Sequence, residues 1–506
     1  MNKRKSQKKY FIDPYGCVKN QVDAENLMSD LNLRGWESAD EAEEADLIII
    51  NSCGFIESAK RESINAVLAW RKLYPAKKIL LAGCLGERYA KELKTELPEA
   101  DYIMGIGGIK EAAVRPELRK LFHSGGTTNT GAAGAALAVG MRPLLSMPGT
   151  AYVKISEGCS NNCTYCAIPL IRGSLKSRSI KEIVRECEVL LGRGIRELCL
   201  IGQDTASYGA DKAASADKAA SADEAASADE AALADEAGAG NAAPERVAAS
   251  EGVATQEGDA ASGGLPVLLA ALGELKGDFR VRLLYMHPDH FSYEVLNIME
   301  KDRRILPYFD FPFQHASEKI LKAMGRKGNA ESYLKLIKDI RHRFKDAVIR
   351  STFLTGFPGE SEEDFMQLLD FQEKAKLTWL GCFAYSREEG TLAYNMKARV
   401  SKKTAEKRKA IIEEKQLRIT EAEMDSFVKH SIKNKILYDV LIEEKIPPKA
   451  EEETVIYLGR LPFQAPEVDS SAVIFRERED AELKLGEIYP CRIFARTGID
   501  LKAEVF

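Results

Sequence analysis

Three times near the start of the chain, a short apolar run is followed by a cysteine and then by a segment with helical patterning. The runs are KYFID at 9–13, DLIIIN at 46–51 and KILLA at 78–82, and the cysteines are Cys17, Cys53 and Cys84. Helical segments are expected at about 20–34, 57–72 and 86–96, with a further strand at 100–104. Strands alternating with helices predict a parallel sheet covered on both faces. All strand C-termini of such a sheet share one edge, where ligands bind, so three cysteines distant in sequence would converge there. Taken singly, each would read as a small buried hydrophobe.

A second alternating series begins near residue 147. Strand candidates at 151–156, 197–202, 279–285, 308–313, 347–354 and 378–384 are separated by helical patterns at 180–192, 265–276, 291–300, 316–324, 330–344 and 362–375. Six βα units predict a partial barrel with its chemistry at the strand C-termini. Residues 123–146 are small and glycine-rich at first and read as a flexible linker. A low-complexity insertion at 210–263 repeats an aspartate every six residues, at Asp211, Asp217, Asp223, Asp229 and Asp235. That period leaves no apolar stripe on a helix, so a disordered or loosely helical solvated loop is expected.

Residues 401–430 read as a connecting helix. Residues 431–506 change to five short strands broken by turn signals, which predict a small all-β barrel appended as a recognition module. The division is therefore 1–122, a linker 123–146, a barrel 147–400, a helix 401–430 and a β-barrel 431–506. Several domains suit a chain of 506 residues. The N-terminal MNKRKSQKKY is basic, but no signal-like or membrane-length apolar run follows, which predicts a cytoplasmic protein with reduced thiols.

The segment GCSNNCTYCAIP sets Cys159, Cys163 and Cys166 in a C-x3-C-x2-C spacing just beyond the first barrel strand. Three thiolates on one tight loop suit three irons of a four-iron cluster and leave the fourth open to a ligand. Structural zinc favours C-x2-C pairs, and no histidine stands nearby to complete such a site. With Tyr165 before the last cysteine, this triplet resembles the signature of the radical S-adenosylmethionine superfamily, whose open iron chelates the methionyl amino and carboxylate groups.

The words YGCVKNQVDAE, NSCGFIESAKRES and AGCLGERY around the first three cysteines resemble the N-terminal domain of methylthiotransferases. That resemblance implies a second four-iron cluster on Cys17, Cys53 and Cys84. CAIPLIRG, FPFQHASEKILKAMGR and FAYSREEGT are similar to the RimO-type branch, which acts on ribosomal protein S-twelve; GRLPFQAPEVDSS resembles that branch's TRAM domain. The reaction so implied places a methylthio group on the β-carbon of an aspartate, giving 3-methylthioaspartate. One S-adenosylmethionine donates the methyl group and a second yields the radical that abstracts hydrogen. An electron donor such as flavodoxin or ferredoxin, and a monomeric state, go with it.

Charge bears on the substrate. Residues 431–506 hold eleven Lys and Arg against fifteen Asp and Glu, and the whole chain has a formal charge of -5. Nucleic-acid affinity rests on Lys and Arg displacing counterions, so direct nucleic-acid binding is not expected; an acidic module suits a basic protein partner. The competing readings are a transfer-RNA methylthiotransferase, which needs a positive C-terminal barrel, and a non-catalytic iron-sulfur carrier, which leaves the barrel strands without a purpose.

No catalytic side chain is assigned. Candidates to meet S-adenosylmethionine are Tyr165, Gly202, Gln203, Asp204, Arg178 and Gly356; Arg172 and Gln314 are candidates to meet the substrate. The guanidinium groups would serve a carboxylate. Gly202 to Asp204 and the word TGFPGE around Gly356 read equally as strand-ending turns. His315 is a wall residue or a cavity residue and is not assigned as a base. Cys187, Cys199, Cys382 and Cys491 read as core.

Overall fold

The computed structural model describes residues 7–108, 115–123, 140–213, 264–447, 454–477 and 479–506. The N-terminal unit is a five-stranded parallel sheet in the order Glu37–Ser38, Lys9–Pro14, Leu47–Ser52, Lys78–Gly83, Tyr102–Ile103. Leu47–Ser52 is central and buried at every residue, which explains an uninterrupted apolar run where a one-faced strand would alternate. Glu37–Ser38 was not foreseen, because two exposed residues carry no periodicity. Helices Val18–Leu33 and Glu57–Leu73 cover opposite faces.

The six barrel strands form as expected, at Thr150–Lys154, Glu197–Ile201, Arg280–Leu283, Tyr308–Asp310, Val348–Thr355 and Trp379–Ala384. They pair in two parallel triplets, and a single bridge from Val281 to Ile305 continues one into the other. Alternation sorts the side chains. Ala151, Val153, Leu198 and Leu200 pack outward on the helices, while Tyr152, Cys199 and Ile201 join a different, inner core. Capping boxes at Ser179 with Glu182 and at Ser361 with Asp364 start two of the outer helices.

A 33-residue helix, Lys402–Asn434, leads to a closed barrel of Tyr438–Ile446, Thr454–Arg460, Ala472–Glu477, Asp500–Val505 and Ile488–Thr497 in that order around the ring. The expectation of an appended module is corrected here. Ile442, Phe463, Ile474 and Ile493 of the small barrel share one buried cluster with Tyr152, Cys199, Leu284 and Tyr308 of the partial barrel's inner face. Buried Glu197 binds Arg282 Nε at 2.8 Å and Arg460 Nη1 at 2.8 Å, and Trp379 Nε1 donates to the Phe463 carbonyl at 2.9 Å. The C-terminal barrel is a plug in the central one.

The linker reading is corrected in part. Residues 124–139 lie outside the described residues, but 140–146 are fixed: buried Arg142 donates to Glu25 at 2.8 Å and also pairs with Glu186, and the Leu145 amide donates to Glu25 at 2.9 Å. These partners come from the first and second units, so the strap joins them. The expected insertion begins too early. Asp211 Oδ2 accepts from the Ser177 amide at 3.0 Å; 214–263 lie outside the described residues, and with them Asp217, Asp223, Asp229 and Asp235. At Gly264, the next described residue, a Cβ would lie 3.5 Å from the Tyr208 carbonyl oxygen, so the far side of the insertion lies beside the turn that leads into it. Replacing 214–263 by a short Gly-Ser linker should therefore leave soluble yield unchanged and stability within about 1 kcal/mol, read by denaturant unfolding. Insoluble protein would overturn this.

Candidate active site between two groups of thiols

Residues 158–175 leave the first barrel strand and return, pinched at their base by a two-residue antiparallel pairing of Ser156–Glu157 with Lys176–Ser177. The Cys159 amide donates to the Gly173 carbonyl at 3.0 Å, and a Cβ at Gly158 would lie 2.1 Å from the Ser174 oxygen. Only glycine allows that approach. The loop then rests on the turn after helix Glu318–Ala323. Thr164 donates through its amide to Met324 at 3.0 Å and through Oγ1 to Ala323 at 2.8 Å, and the Ala393 amide donates to the Thr164 carbonyl at 2.8 Å. Cys159, Cys163 and Cys166 are thus displayed on a backbone held from three sides. Burial pushes the Cys159 thiol up to about 11 and Cys166 to about 12.

The other three cysteines meet at the C-terminal edge of the N-terminal sheet. A Cβ at Gly54 would lie 2.6 Å from the Cys84 carbonyl oxygen, so two loops approach backbone to backbone. Asn20 Nδ2 donates to the carbonyls of Tyr15 at 2.7 Å and Ser52 at 3.1 Å, Asn51 Nδ2 returns a bond to the Asn20 carbonyl at 2.8 Å, and the Cys84 thiol lies 3.7 Å from Asn20 Oδ1. Two asparagines thereby stitch the three loops. All six thiols are free. Among the described residues no His, Cys, Asp and Glu side chains gather closely enough to hold a single metal ion, whereas each trio offers the three thiol donors that a cluster with one open iron requires.

The two groups face one another. Cys84 packs with Ala167, which directly follows Cys166, and with Ile171 one turn further on. Arg172, buried, donates to Cys84 Sγ at 3.2 Å, Asp23 at 2.8 Å and Glu157 at 2.8 Å, while Lys154 pairs with Asp23 and, at 2.8 Å, with Glu157. On the opposite side, buried Glu388 accepts from Lys60 at 2.9 Å and Arg88 at 2.8 Å. These two charge clusters seat the N-terminal unit on the mouth of the barrel. Between helix Glu57–Leu73 and the last barrel strands opens a cleft of about 1690 Å³, lined by Tyr15, Leu85, Gly356, Pro358 and Tyr385 among others. It exceeds the roughly 300–1,000 Å³ usual for small ligands.

Residues 9–105 match the family described as Uncharacterized protein family UPF0004, 153–371 the Radical SAM superfamily and 437–506 the TRAM domain. The "Ribosomal protein uS12 methylthiotransferase RimO" of Treponema denticola is 42% identical across 97% of this chain and 99% of its own length. Those of Pseudothermotoga lettingae and Clostridioides difficile are each 35% identical across 98% of this chain and 99% and 98% of theirs. This chain belongs to the RimO family of radical S-adenosylmethionine methylthiotransferases. It is an enzyme, and with the superfamily come S-adenosylmethionine and a four-iron four-sulfur cluster as cofactors.

Within this RimO-family frame the weaker candidates separate. Arg172 and Arg178 were expected to meet a ligand carboxylate, and the structure corrects both. Arg172 is committed as described, and Arg178 donates to Glu186 at 2.6 Å and the Lys154 carbonyl at 2.7 Å. Asp204 is likewise saturated: Oδ2 binds Asn161 at 3.0 Å, Ser207 at 2.6 Å and His290 at 2.7 Å, and Oδ1 accepts from the His287 and Ala206 amides. Burial opposes its charge, but the bonds from His290, Ser207 and Asn161 hold the carboxyl below its usual range. Its place is to tie Asn161 of the cysteine loop to the next two strands.

Gly202 has no room for a Cβ, with Ser156 Oγ at 2.8 Å, whereas Gln203 keeps its Oε1 buried without a hydrogen-bond partner. Gly356, at φ +76°, presses on Ala405 of the long helix and lines the cleft. Tyr165 accepts from Arg326 at 3.1 Å and meets the Phe357 ring edge-on. Gln314 lies four residues past strand Tyr308–Asp310, in the left-handed region at φ 68° and half-buried, and makes an isolated bridge to Phe353. His315 accepts from the Ser317 amide at 3.0 Å, and burial pushes its pKa down to about 3.

Sequence reasoning missed Lys19, Asp23 and Tyr285. The signal was present: helix Val18–Leu33 starts directly after Cys17 and buries Lys19, Asn20 and Glu25, polar residues on a face that should be apolar. Burial pushes the Lys19 ammonium down to about 8.

Proposed function

We propose that this chain methylthiolates the β-carbon of an aspartate in ribosomal protein uS12, the S-twelve of the small subunit. The observation that carries this is a cysteine loop whose Arg172 reaches across to Cys84 of the N-terminal thiol group, in a chain 42% identical over nearly its full length to a uS12 methylthiotransferase. Cys159, Cys163 and Cys166 hold the cluster that binds S-adenosylmethionine, and Cys17, Cys53 and Cys84 hold a second four-iron cluster. When bound, these groups supply the electron, the methyl group and the sulfur of the reaction. The protein's own part is placement. Arg172 with Asp23 and Glu157 ties the N-terminal unit to the cysteine loop, and Gln203 and Tyr165 would meet S-adenosylmethionine when it is bound.

A protein substrate also fits the small barrel. Its Arg460, Arg476, Arg492 and Arg496 are each paired with an acid, so none is held ready for phosphate. No helix among the described residues is long and apolar enough to cross a membrane. We place the enzyme in the cytoplasm as a monomer, reduced by a flavodoxin or ferredoxin. Incubated with S-adenosylmethionine, a reductant and sulfide, it should add the mass of a methylthio group to an aspartate of uS12 and leave transfer RNA unmodified. Mass spectrometry of both substrates decides. Thiomethylated transfer RNA with untouched uS12 would overturn the proposal.

A further inference from the structure

Lys19 is a buried cation that no acid among the described residues hydrogen-bonds, although Cys17 and Asp310 lie near enough to favour its charge. It is 7% exposed and makes no hydrogen bond or ion pair with a described residue; its Nζ stands over the Tyr285 ring, 2.7 Å from the centroid. An aromatic face lowers the cost of burying a cation but does not replace an anionic partner. The acids nearby are engaged elsewhere. Asp310 accepts from Arg350 at 2.9 Å and from the Tyr285 amide at 2.9 Å, and Asp23 and Glu157 are held by Lys154 and Arg172.

Its position joins the two halves of the site. Lys19 opens the helix that starts after Cys17, an exposed thiol, and its ring partner follows the barrel strand Arg280–Leu283 at its C-terminal end. Tyr285 stands at φ 62° and Gln314, one strand further on, at φ 68°. Non-glycine residues are strained in that region and persist where the surroundings enforce them. The two lie beyond the C-terminal ends of successive barrel strands, and Tyr285 is close enough to Cys17 for the two charges to interact.

We propose that Lys19 is the binding site for the side-chain carboxylate of the target aspartate, resting on the uS12 reading above. The γ-carboxylate is bonded directly to the β-carbon that must receive sulfur. A fixed cation beside Cys17 therefore holds that carbon next to the N-terminal thiol group and turns it toward the barrel. Asparagine, lacking the charge, loses the interaction, so Lys19 makes the enzyme read aspartate as an anion. The methionyl carboxylate of S-adenosylmethionine offers the same chemistry, and the test separates the two.

The test uses anaerobically reconstituted full-length protein, wild type, Lys19→Met and Lys19→Arg. Two peptides carry the modified loop of uS12, one with its aspartate and one with asparagine there, and Kd is read by fluorescence anisotropy with and without S-adenosylmethionine. Wild type should prefer the aspartate peptide by at least about tenfold, the value of one charge-assisted bond. Lys19→Met should bind both peptides equally, at the asparagine level, with unchanged iron content and cluster electron paramagnetic resonance spectrum. Lys19→Arg should regain part of the preference. An undiminished preference in Lys19→Met, or lost iron, overturns the proposal, as does a preference unchanged while affinity for S-adenosylmethionine falls. Failure of wild type to modify uS12 at all would instead strike the functional reading.

Discussion

Replacing Cys159, Cys163 and Cys166 together by alanine is expected to lower the reconstituted iron content from about eight to about four and to end 5'-deoxyadenosine formation. The loop should keep its shape, because its anchors are backbone bonds and Thr164 rather than thiols. The other group should load normally, since Asn20 and Asn51 organise it within the N-terminal unit alone. The converse variant, with Cys17, Cys53 and Cys84 replaced, should also hold about four irons. It should still form 5'-deoxyadenosine but transfer no methylthio group. Iron quantitation with chromatography of the nucleoside product separates these outcomes. Full iron in either triple variant would end the assignment of two clusters.

The largest effect on stability is expected at Glu197. This fully buried carboxylate faces Arg282 and Arg460 at 2.8 Å each and Arg280 at 4.0 Å. Glu197→Ala strands those cations in the joint between the two barrels, which costs about 3–5 kcal/mol and lowers the melting temperature by roughly 10 °C. Burial opposes the charge of Glu197, but Arg282 and Arg460 prevail and hold its pKa below the usual range. Its contribution is therefore complete above the unfolded value of about 4.3 and is lost only as pH falls toward the depressed folded value. Thermal unfolding of the wild type between pH 5 and 8 should show no titration from this group. A Glu197→Met, Arg460→Met pair should lose less than the sum of its single variants, since it removes both charges at once. Additive losses would show that the two side chains are not coupled.

The elements that carry the fold were legible because each is long enough to show a period. All six barrel strands and the cysteines beyond the N-terminal strands follow from alternation and apolar runs. Two-residue pairings such as Ser156–Glu157 with Lys176–Ser177 have no period to read, yet they close the cysteine loop. The role of Arg172 was hidden for a different reason. Its partner Asp23 lies 149 positions away in another unit, and a guanidinium looks the same in sequence whether it awaits a ligand or serves a neighbour. Lys19 was hidden by adjacency to Cys17, whose chemistry drew attention from it. The strap at 140–146 looked like the linker before it because Arg142 is its one charged residue, and nothing local reveals Glu25 and Glu186 waiting for it.

The plug at the base of the barrel bears on how such enzymes diverge. Arg460, Phe463 and Asp469 lie on the C-terminal segment, and their partners Glu197, Trp379 and Tyr308 lie on three separate barrel strands. A chimaera that takes 437–506 from a relative inherits half of every one of these contacts, so the segment cannot be traded as a cassette. Retargeting the enzyme by exchanging its tail requires carrying matched changes into the barrel, and new substrates are reached more readily through the loops at the opposite mouth.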